Sequence, residues 1–429
     1  MSVLTLQVLL DGAWHRAATL EVPREAEGAG GACYFEYDFA YLDAWLDRGR
    51  FDALVSARLP LEFGPALQPA WPSFLDDVRP MGSARRWWLA RLGLPDAPSS
   101  DFLLVREGTA APIGNLRVEE SVPPRGPPPR RFPLTAVVAR EHDFIVWAAE
   151  HGAQVGGATG AGGESPKLVL RRDANSQVWI DVWQDEPDQS AAHVLVKFAR
   201  GKSERDRLIL RSEFAYYRAL TRLGFDTIRG EGLELHEGEG GPSLWLPRFD
   251  VERRDGREVR LGIESIYSLC GAAPGARLRH QDVLATLESV FPTDRWPEVV
   301  AEYVERDVLN LVFGNSDNHG RNMSVLRRAD GPRLAPIYDF APMKMDLEGV
   351  SRSTTWGPFE RGGDVDFNQV FKSLGPHEPL VRARVGALAR RLVDLPDLLR
   401  EVGVPDETLS FQALGLFQTQ ARLRTWGLL

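Results

Sequence analysis

The chain has little of what marks disulfide-stapled, zinc-binding or membrane-spanning proteins. Its 429 residues include only two cysteines, Cys33 and Cys270, and neither a CxxC nor an HExxH pattern, so no disulfide framework or zinc cluster is indicated. No apolar run approaches the length that crosses a bilayer, and the N-terminus lacks a signal-peptide pattern. The formal net charge of −9 argues against a protein that coats nucleic acid by itself. We therefore expect a cytoplasmic protein without membrane contact.

What is present is an ordinary globular composition, with 43% hydrophobic and 26% charged residues, over a length that suggests two or three domains. Residues 3–10 read as a strand, and Asp11-Gly12 is a hairpin signal. We expect extended segments at 34–39 and 51–59, a largely helical stretch at 74–92, and strand ends at 102–105 and 113–116. Residues 1–121 are thus predicted to form one mixed α/β domain.

A proline- and arginine-rich segment over residues 122–134 predicts an extended linker that lies outside any core. Residues 135–255 then read as a β-rich lobe that contains a glycine-rich loop. Residues 256–429 read as mostly helical, with helices expected at 279–290, 296–313, 379–393 and 408–428. A β-rich lobe before a helical lobe is the order of a bilobal protein-kinase-like fold, so we predict an α+β protein of that type with an additional N-terminal domain.

The most informative segment runs from Asn315 to Asn322 and reads Asn-Ser-Asp-Asn-His-Gly-Arg-Asn. Asp317, Asn322 and, after a short apolar run, Asp339 occur in the order that protein kinases use for phosphoryl transfer. An Asp can deprotonate an acceptor hydroxyl, and the other two residues offer the hard oxygen ligands that Mg²⁺ prefers. Alone, the same letters also fit a polar turn. His319 either holds the loop by hydrogen bonds or contacts a nucleotide.

Upstream features supply the remaining parts of such a site. Residues 156–167 are rich in glycine, which lets backbone N–H groups approach phosphate oxygens, although a flexible loop has the same composition. Lys197 lies alone in the apolar strand 193–198 and needs an anionic partner, such as a phosphate or a carboxylate. Glu213 is expected to start an amphipathic helix and to pair with Lys197, or simply to favour the helix dipole. The strand 244–250 is a candidate for the adenine-binding hinge.

Together these features resemble the HipA family of serine/threonine kinases, the toxins of type II toxin–antitoxin pairs, over most of the chain. The specific matches are the loop from Asn315 to Asn322 and the Tyr338-Asp339 step. The loop and hinge matches are Gly162-Gly163-Glu164-Ser165-Pro166-Lys167 and Arg248-Phe249-Asp250. The softer N-terminal matches are Phe35-Glu36-Tyr37, Leu59-Pro60-Leu61, Val78-Arg79-Pro80-Met81-Gly82, Asp101-Phe102-Leu103-Leu104 and Ile113-Gly114.

The resemblance implies an ATP- and Mg²⁺-dependent kinase with Asp317 as the catalytic acid/base and with Asn322 and Asp339 as metal ligands. The implied ATP-binding set is Gly162, Gly163, Glu164, Ser165, Pro166, Lys167, Lys197, Glu213, Pro247, Arg248, Phe249, His319, Asn322 and Tyr338. In this family the targets include aminoacyl-tRNA synthetases, whose phosphorylation stalls translation and arrests growth. The usual partner is a small HipB-like helix-turn-helix antitoxin, so any DNA contact is indirect.

Two departures from the family pattern suggest a divergent branch. Many members carry a Ser seven residues before the loop Lys, and its autophosphorylation switches the enzyme off. Here that position is Gly160, so either Thr159 or Ser165 substitutes for the Ser, or this regulation is absent. The turn at Arg79-Pro80 replaces the more common Leu-Pro.

Two other functions remain compatible with the sequence. The first is a pseudokinase or corepressor whose role is to form a complex with antitoxin and DNA. Retention of Lys197, Asp317, Asn322 and Asp339 argues against it, because a pseudokinase has no need of every charged group. The second is a small-molecule phosphotransferase, against which the toxin-like N-terminal domain argues.

Overall fold

The computed structural model of the chain describes residues 2–109, 113–150, 165–185, 190–254 and 256–429. These residues form two compact units. The first comprises Met1–Arg200, His236–Ala273 and Ser324–Ala335, and the second comprises Gly201–Leu235, Pro274–Met323 and Pro336–Leu429. The division predicted from the sequence, with boundaries after residues 121, 134 and 255, stays a prediction.

The strands, in chain order, are β1 (Ser2–Leu10), β2 (Ala13–Val22), β3 (Cys33–Tyr37), β4 (Ala66–Gln68), β5 (Leu116–Val118), β6 (Phe132–Pro133), β7 (Lys167–Arg172), β8 (Gln177–Trp179), β9 (Ala192–Phe198), β10 (Glu234–Gly238), β11 (Gly241–Pro247), β12 (Val251–Arg254), β13 (Arg257–Arg260), β14 (Gly262–Ser265), β15 (Leu278–Arg279), β16 (Ser324–Arg328), β17 (Gly331–Leu334), β18 (Thr354–Thr355), β19 (Glu360–Arg361) and β20 (Asp364–Val365).

The helices are α1 (Phe39–Trp45), α2 (Leu75–Val78), α3 (Gly82–Leu92), α4 (Asp101–Gly108), α5 (Leu134–Ala139), α6 (His142–Glu150), α7 (Glu204–Arg222), α8 (Ile266–Cys270), α9 (His280–Glu288), α10 (Trp296–Phe313), α11 (Phe367–Ser373), α12 (Glu378–Arg391), α13 (Leu395–Val402), α14 (Asp406–Leu409) and α15 (Thr419–Thr425). Among the described residues, no helix has both the length and the apolar composition that a bilayer crossing requires.

The N-terminal part of the first unit is built on the predicted hairpin. β1 and β2 pair antiparallel from Ser2 opposite Val22 to Leu10 opposite Ala13. The two turn residues have the positive φ angles that such a tight turn requires, 51° at Asp11 and 83° at Gly12. The sheet has the order β4-β3-β2-β1-β5, and α1, α2 and α4 contribute to its apolar core.

Two predictions in this part of the chain are wrong, and one needs refinement. Residues 51–59 are not extended, because Phe51–Ala53 forms a 3-10 turn. Residues 102–105 belong to α4 rather than to a strand end, since a four-residue apolar run carries no period that separates helix from strand. The helix predicted over 74–92 is confirmed but divided into α2 and α3. The break falls at Pro80, whose nitrogen carries no hydrogen for a helical bond.

The second sheet of the first unit has the order β10-β11-β9-β7-β8-β6. It confirms the strand predicted at 193–198 as β9, whereas the strand predicted at 244–250 ends at Pro247, the last residue of β11. The edge of the sheet corrects the linker prediction, because Phe132 pairs with Val178 and packs against Phe144 and Trp147 in the core. The end of the proline-rich segment therefore lies inside a core. Pro133 is tolerated there because edge strands can accept a residue without an N–H donor.

Buried carboxylates tie the first 121 residues to the strands that follow within the same unit. Glu264, which is fully buried, accepts hydrogen bonds from Ser56 Oγ at 2.6 Å and from Arg327 Nη1 at 3.0 Å. Asp250 accepts one from the Gly114 N–H at 2.7 Å. A buried charge is costly unless it is paired and hydrogen-bonded, so these contacts specify where the chain segments meet.

The second unit is helical, and it confirms the helix predicted at 296–313 as α10 and those near 279–290 and 379–393 as α9 and α12. Two expectations are corrected. Glu213 lies in the middle of α7, which begins after a capping box formed by Ser203 and Asp206. The helix predicted over 408–428 is divided into α14, 3-10 turns and α15, with Gly415 at φ 64° between them. In addition, β14, β16 and β17 form a small sheet in the first unit, where mostly helical structure was expected.

Candidate functional site

The loop from Asn315 to Asn322 begins where α10 ends. Gly314 terminates the helix in the left-handed conformation, with φ 70°, which glycine adopts without the steric cost of a Cβ. A Cβ at this position would lie 2.5 Å from the Leu414 side chain. The Asn315 N–H donates to the Asn310 carbonyl at 2.9 Å. The helix end therefore gives the loop a defined starting point.

Within the loop, Asn322 is bound to Asp317. The Asn322 Nδ2 donates to the Asp317 backbone carbonyl at 2.6 Å, and the Asn322 N–H donates to the His319 carbonyl at 2.9 Å. With Nδ2 committed in this way, Oδ1 is the free end of the amide. That oxygen is shielded from solvent and has no hydrogen-bond partner among the described residues. A buried, unpartnered amide oxygen is costly unless a ligand satisfies it.

His319 contacts both Asp317 and the backbone of the loop. Its Nδ1 accepts a hydrogen bond from the Arg321 N–H at 3.2 Å, and its Nε2 lies 3.5 Å from Asp317 Oδ1. Acceptance at Nδ1 places the proton of the neutral ring on Nε2, facing the carboxylate. This arrangement is that of a residue that holds the loop; nucleotide contact by His319 stays a prediction.

The Tyr338-Asp339 step is tied to the same loop. Tyr338 Oη donates to the Arg321 carbonyl at 2.5 Å, and Phe340 packs on Phe313 with a ring-centroid separation of 5.2 Å. Asp339 has φ 50°, a left-handed conformation that Asp and Asn adopt more readily than other residues with a side chain. Asp339 therefore follows a tyrosine that is hydrogen-bonded to the loop from Asn315 to Asn322.

Glu213 and Asp339 both lie near the buried Tyr217 within the second unit. Tyr217 Oη donates to Glu213 Oε1 at 2.8 Å, one helical turn along α7. Burial raises the pKa of Tyr217 well above its ordinary value, and the negative charges of Glu213 and Asp339 raise that pKa further. The structure thus brings together Asp317, His319, Asn322, Tyr338, Asp339 and Glu213 in one unit.

The predicted phosphate-binding lysines belong to the first unit. Lys167 on β7 is directly opposite Lys197 on β9, and both side chains are buried, with 6% and 7% exposure. Directly opposed residues on neighbouring strands point to the same face of a sheet, where like charges repel. Two lysines on one face of a sheet are suited to contact with a polyanion. The sequence predicted both strands, but it could not reveal this register.

The rest of the predicted nucleotide-binding set is only partly described. Thr159, Gly162, Gly163 and Glu164 lie outside the described residues, together with Gly160, the usual Ser position. Ser165 is half-buried, and the Pro166 carbonyl accepts a hydrogen bond from the Phe198 N–H at 3.1 Å. The segment from Ser165 therefore enters β7 next to the strand that carries Lys197.

The predicted hinge follows β11, whose last residue is Pro247. The Arg248 guanidinium pairs with Asp250, with Nε donating to Oδ1 at 2.9 Å, and its backbone N–H donates to the His193 carbonyl at 3.1 Å. Burial opposes the charge of Asp250, but Arg248 outweighs it and holds the pKa of Asp250 below its ordinary value. The Arg248 side chain thus serves the first unit. Adenine binding by Pro247, Arg248 and Phe249 stays a prediction.

The donor set fits a hard divalent cation. Among the described residues, no three His, Cys, Asp or Glu side chains converge on one point, which leaves Asn322 and Asp339 as the candidate ligands. Mg²⁺ is commonly held by one or two protein oxygens together with substrate phosphates. The unpartnered Oδ1 of Asn322 is the observation that favours a metal here.

A family model described as a HipA-like C-terminal domain matches residues 159–395, more than half of the chain. The chain belongs to the HipA family. A curated relative, named "Putative kinase Y4mE", from Sinorhizobium fredii, is 28% identical over 397 residues, covering 84% of this chain and 88% of its own length.

A solved structure of HipA from Shewanella oneidensis MR-1, in a complex with HipB and operator DNA, superimposes with a TM-score of 0.69 at 18% identity. The match covers 99% of this chain and 98% of that chain. The predicted mixed α/β, kinase-like fold of a HipA-family protein is thereby confirmed.

Proposed function

We propose that this HipA-family chain is an ATP- and Mg²⁺-dependent serine/threonine protein kinase. The observation that carries the proposal is the orientation of Asn322. Its amide nitrogen donates a hydrogen bond to the Asp317 carbonyl at 2.6 Å, and its shielded oxygen remains available for a metal ion. This arrangement is expected of a kinase site in which an aspartate activates the acceptor hydroxyl and an asparagine five residues later binds the metal ion.

Each candidate site residue of the second unit then has a defined role. Asp317 orients the acceptor hydroxyl and takes up its proton. The Nε2–H of His319, 3.5 Å from Asp317 Oδ1, steadies the carboxylate. Asn322 Oδ1 and Asp339 hold the metal, and Tyr338 keeps the two segments together through the Arg321 carbonyl. Bound Mg²⁺–ATP would supply the phosphoryl group and neutralise the charge that develops on it.

The paired lysines provide the phosphate contacts in this proposal. Lys167 and Lys197 are opposed and buried, and their two positive charges on one face of the sheet suit contact with phosphate oxygens. Glu213 is proposed as a further member of the ATP-binding set, since a helix Glu of this kind has a positioning role in protein kinases. Ser165 and Thr159 are the candidate autophosphorylation sites.

We further propose a HipB-like helix-turn-helix antitoxin as the partner. The support is that HipA of Shewanella oneidensis forms a complex with HipB and operator DNA, and DNA contact of this chain would be indirect. The proposed substrate is a protein of the translation machinery, such as an aminoacyl-tRNA synthetase, whose phosphorylation would arrest growth in the cytoplasm.

Phosphopeptide mass spectrometry tests the proposal. The purified chain is incubated with Mg²⁺–ATP and a bacterial cell extract, in parallel with the Asp317→Asn variant. We expect phosphoserine or phosphothreonine on a few extract proteins, or on Ser165 or Thr159, only with the unmodified chain. Retained ATP binding without any new phosphopeptide would instead support the pseudokinase or corepressor function.

A further inference from the structure

Residues 352–356, here named the anchored segment, are fixed to the second unit at both ends. At the N-terminal end, Arg352 forms ion pairs with Asp307 at 2.8 Å and with Glu360 at 2.7 Å. At the C-terminal end, Trp356 Nε1 donates to Asp307 Oδ2 at 2.8 Å, and the Trp356 N–H donates to Glu360 Oε2 at 3.0 Å. The same two carboxylates therefore hold both ends of a five-residue segment.

Asp307 is the centre of this arrangement. It lies in α10, the helix that leads into the Asn315–Asn322 loop, and it is 2% exposed. His280 Nε2 is 3.4 Å from Asp307 Oδ1, and His280 Nδ1 bonds with Tyr303 Oη at 2.7 Å. Burial alone would raise the pKa of Asp307, but Arg352 and His280 outweigh it and hold that pKa well below its ordinary value.

The middle of the anchored segment is bound by Asn318, the residue directly after Asp317. Asn318 Nδ2 donates to the Thr354 carbonyl at 2.7 Å, and its Oδ1 accepts from the Ser353 N–H at 3.1 Å. The amide thus pairs with the backbone of the segment as a neighbouring strand would. On the segment's other side, Leu278 N–H donates to the Ser353 carbonyl at 2.9 Å, and β15 pairs with β18 in parallel.

From these contacts we infer that Asn318 and Asp307 are positioning residues, which hold the anchored segment beside Asp317 as the surface that receives the acceptor polypeptide. The inference rests on the proposed kinase function and deepens it. The candidate metal ligand Asn322 lies at one end of the loop, where the hydroxyl of Tyr338, the neighbour of Asp339, donates to the Arg321 carbonyl. The anchored segment is bound at Asn318. Its Ser353 and Thr355 are half-buried, and Ser351, directly before the segment, is exposed.

A purely stabilising role explains this arrangement less well. Buried ion pairs contribute little net stability compared with apolar packing of the same volume. Another carboxylate of α10, Glu305, also forms an ion pair, with the half-buried Arg384 at 2.5 Å. What sets the Asp307 network apart is its placement. The contacts of Asp307 with Arg352 and Trp356 and those of Asn318 all fix the same short segment, and Asn318 directly follows the candidate base.

The test compares Asn318→Ala and Asp307→Asn with Glu305→Gln, a matched control on the same helix. Three quantities are measured: the Kd of Mg²⁺–ATP, the rate of ATP hydrolysis in the absence of acceptor protein, and label transfer from γ-labelled ATP to the proteins of a bacterial extract. We expect both test variants to lose at least about tenfold in transfer, or about 1.4 kcal/mol. ATP affinity and hydrolysis should stay within about twofold, and the control should match the parent chain.

Thermal unfolding separates this effect from loss of the fold. Asn318→Ala is informative even if Asp307→Asn does not fold, because Asn318 carries no buried charge. Unchanged transfer in a folded Asn318→Ala variant, or equal loss of transfer and hydrolysis, would overturn the inference while leaving the kinase proposal standing. If the parent chain itself labels no protein, the kinase proposal fails, and the inference fails with it.

Discussion

The side-chain nitrogen of Asn322 donates to the backbone carbonyl of Asp317 at 2.6 Å. This one hydrogen bond sets the direction of the amide and leaves its oxygen shielded and without a partner among the described residues. It links two residues that are five positions apart, so a local sequence motif can encode it. The relationship gives Asp317 and Asn322 distinct chemical roles, which can be tested separately.

Replacement of Asn322 by Ala should raise the Mg²⁺ concentration required for half-maximal ATP binding by about tenfold or more, equivalent to about 1.4 kcal/mol. The reason is the loss of one oxygen ligand. Loss of the bond to the Asp317 carbonyl should also lower the free energy of unfolding by about 1 kcal/mol. A Mg²⁺ titration of fluorescent ATP-analogue binding measures the first effect. An unchanged Mg²⁺ requirement would remove Asn322 from the metal site.

The two obvious substitutions of Asp339 should differ in stability. At φ 50°, Asp339→Ala places a residue in the left-handed region at a cost of about 1–2 kcal/mol, whereas Asn tolerates that region. Asp339→Asn is therefore expected to keep the melting temperature closer to that of the parent and still to weaken Mg²⁺-dependent ATP binding. Differential scanning fluorimetry compares the two variants. Equal melting temperatures would show that backbone conformation is not limiting at this position.

Lys197→Met should weaken ATP binding by about tenfold or more. The reason is that it removes one of the two lysine charges that lie opposite each other on β7 and β9 and that are proposed to contact the phosphates. ATP-induced thermal stabilisation reports the affinity, because a ligand stabilises in proportion to ln(1 + [L]/Kd). The exposed Lys372→Met is the matched control. If the thermal shift with ATP is the same in both variants, Lys197 does not contact the phosphates.

His193 should make the first unit less stable in mild acid. Burial lowers the pKa of His193 to about 3, and the side-chain hydrogen bond to Glu258 opposes this, while the nearby Arg260, Arg171 and Arg248 lower the pKa further. The unfolded chain takes up a proton below pH 6.5 that the folded chain does not, so stability is complete above that pH and decreases as the pH falls. The expected loss is about 2 kcal/mol between pH 7 and pH 5.

His193→Gln should remove most of that pH dependence, since Gln does not titrate, and His142→Gln at an exposed position should retain it. Urea unfolding at pH 5, 6 and 7 measures the difference. Glu258 faces His193 at 2.8 Å. Because its pKa is also lowered, it contributes to acid sensitivity mainly below about pH 4.5. Equal slopes for the parent and His193→Gln would contradict the assignment.

How much of the fold and of the candidate site can be predicted from the sequence depends on the distance in sequence between the interacting residues. The Asp317–Asn322 loop and the strand around Lys197 are local features, and the sequence predicts both of them. Short apolar runs do not distinguish a strand from a helix: the sequence predicts a strand end at residues 102–105, but these residues form part of α4. The helix start predicted at Glu213 is wrong because the helix begins after a capping box of Ser203 and Asp206, about two turns or more before Glu213.

Contacts between distant segments were not accessible from the sequence. The register that opposes Lys167 and Lys197 depends on strand pairing. Likewise, the amide of Asn318 binds backbone groups 35 and 36 residues away. In the sequence Asn318 is only one more polar loop residue, and Arg352 is only one more surface-type arginine. Their roles emerge only from packing.

The measurement that tests the central claim most directly is the initial rate of label transfer from γ-labelled ATP to proteins of a bacterial extract in the presence of Mg²⁺. The parent chain is compared with Asp317→Asn and with Asp330→Asn, an exposed control. We expect transfer by the parent and the control, and a loss of about 10²–10⁴-fold in Asp317→Asn with its fold and ATP binding intact. Equal transfer by all three proteins, or none by the parent, would contradict the account.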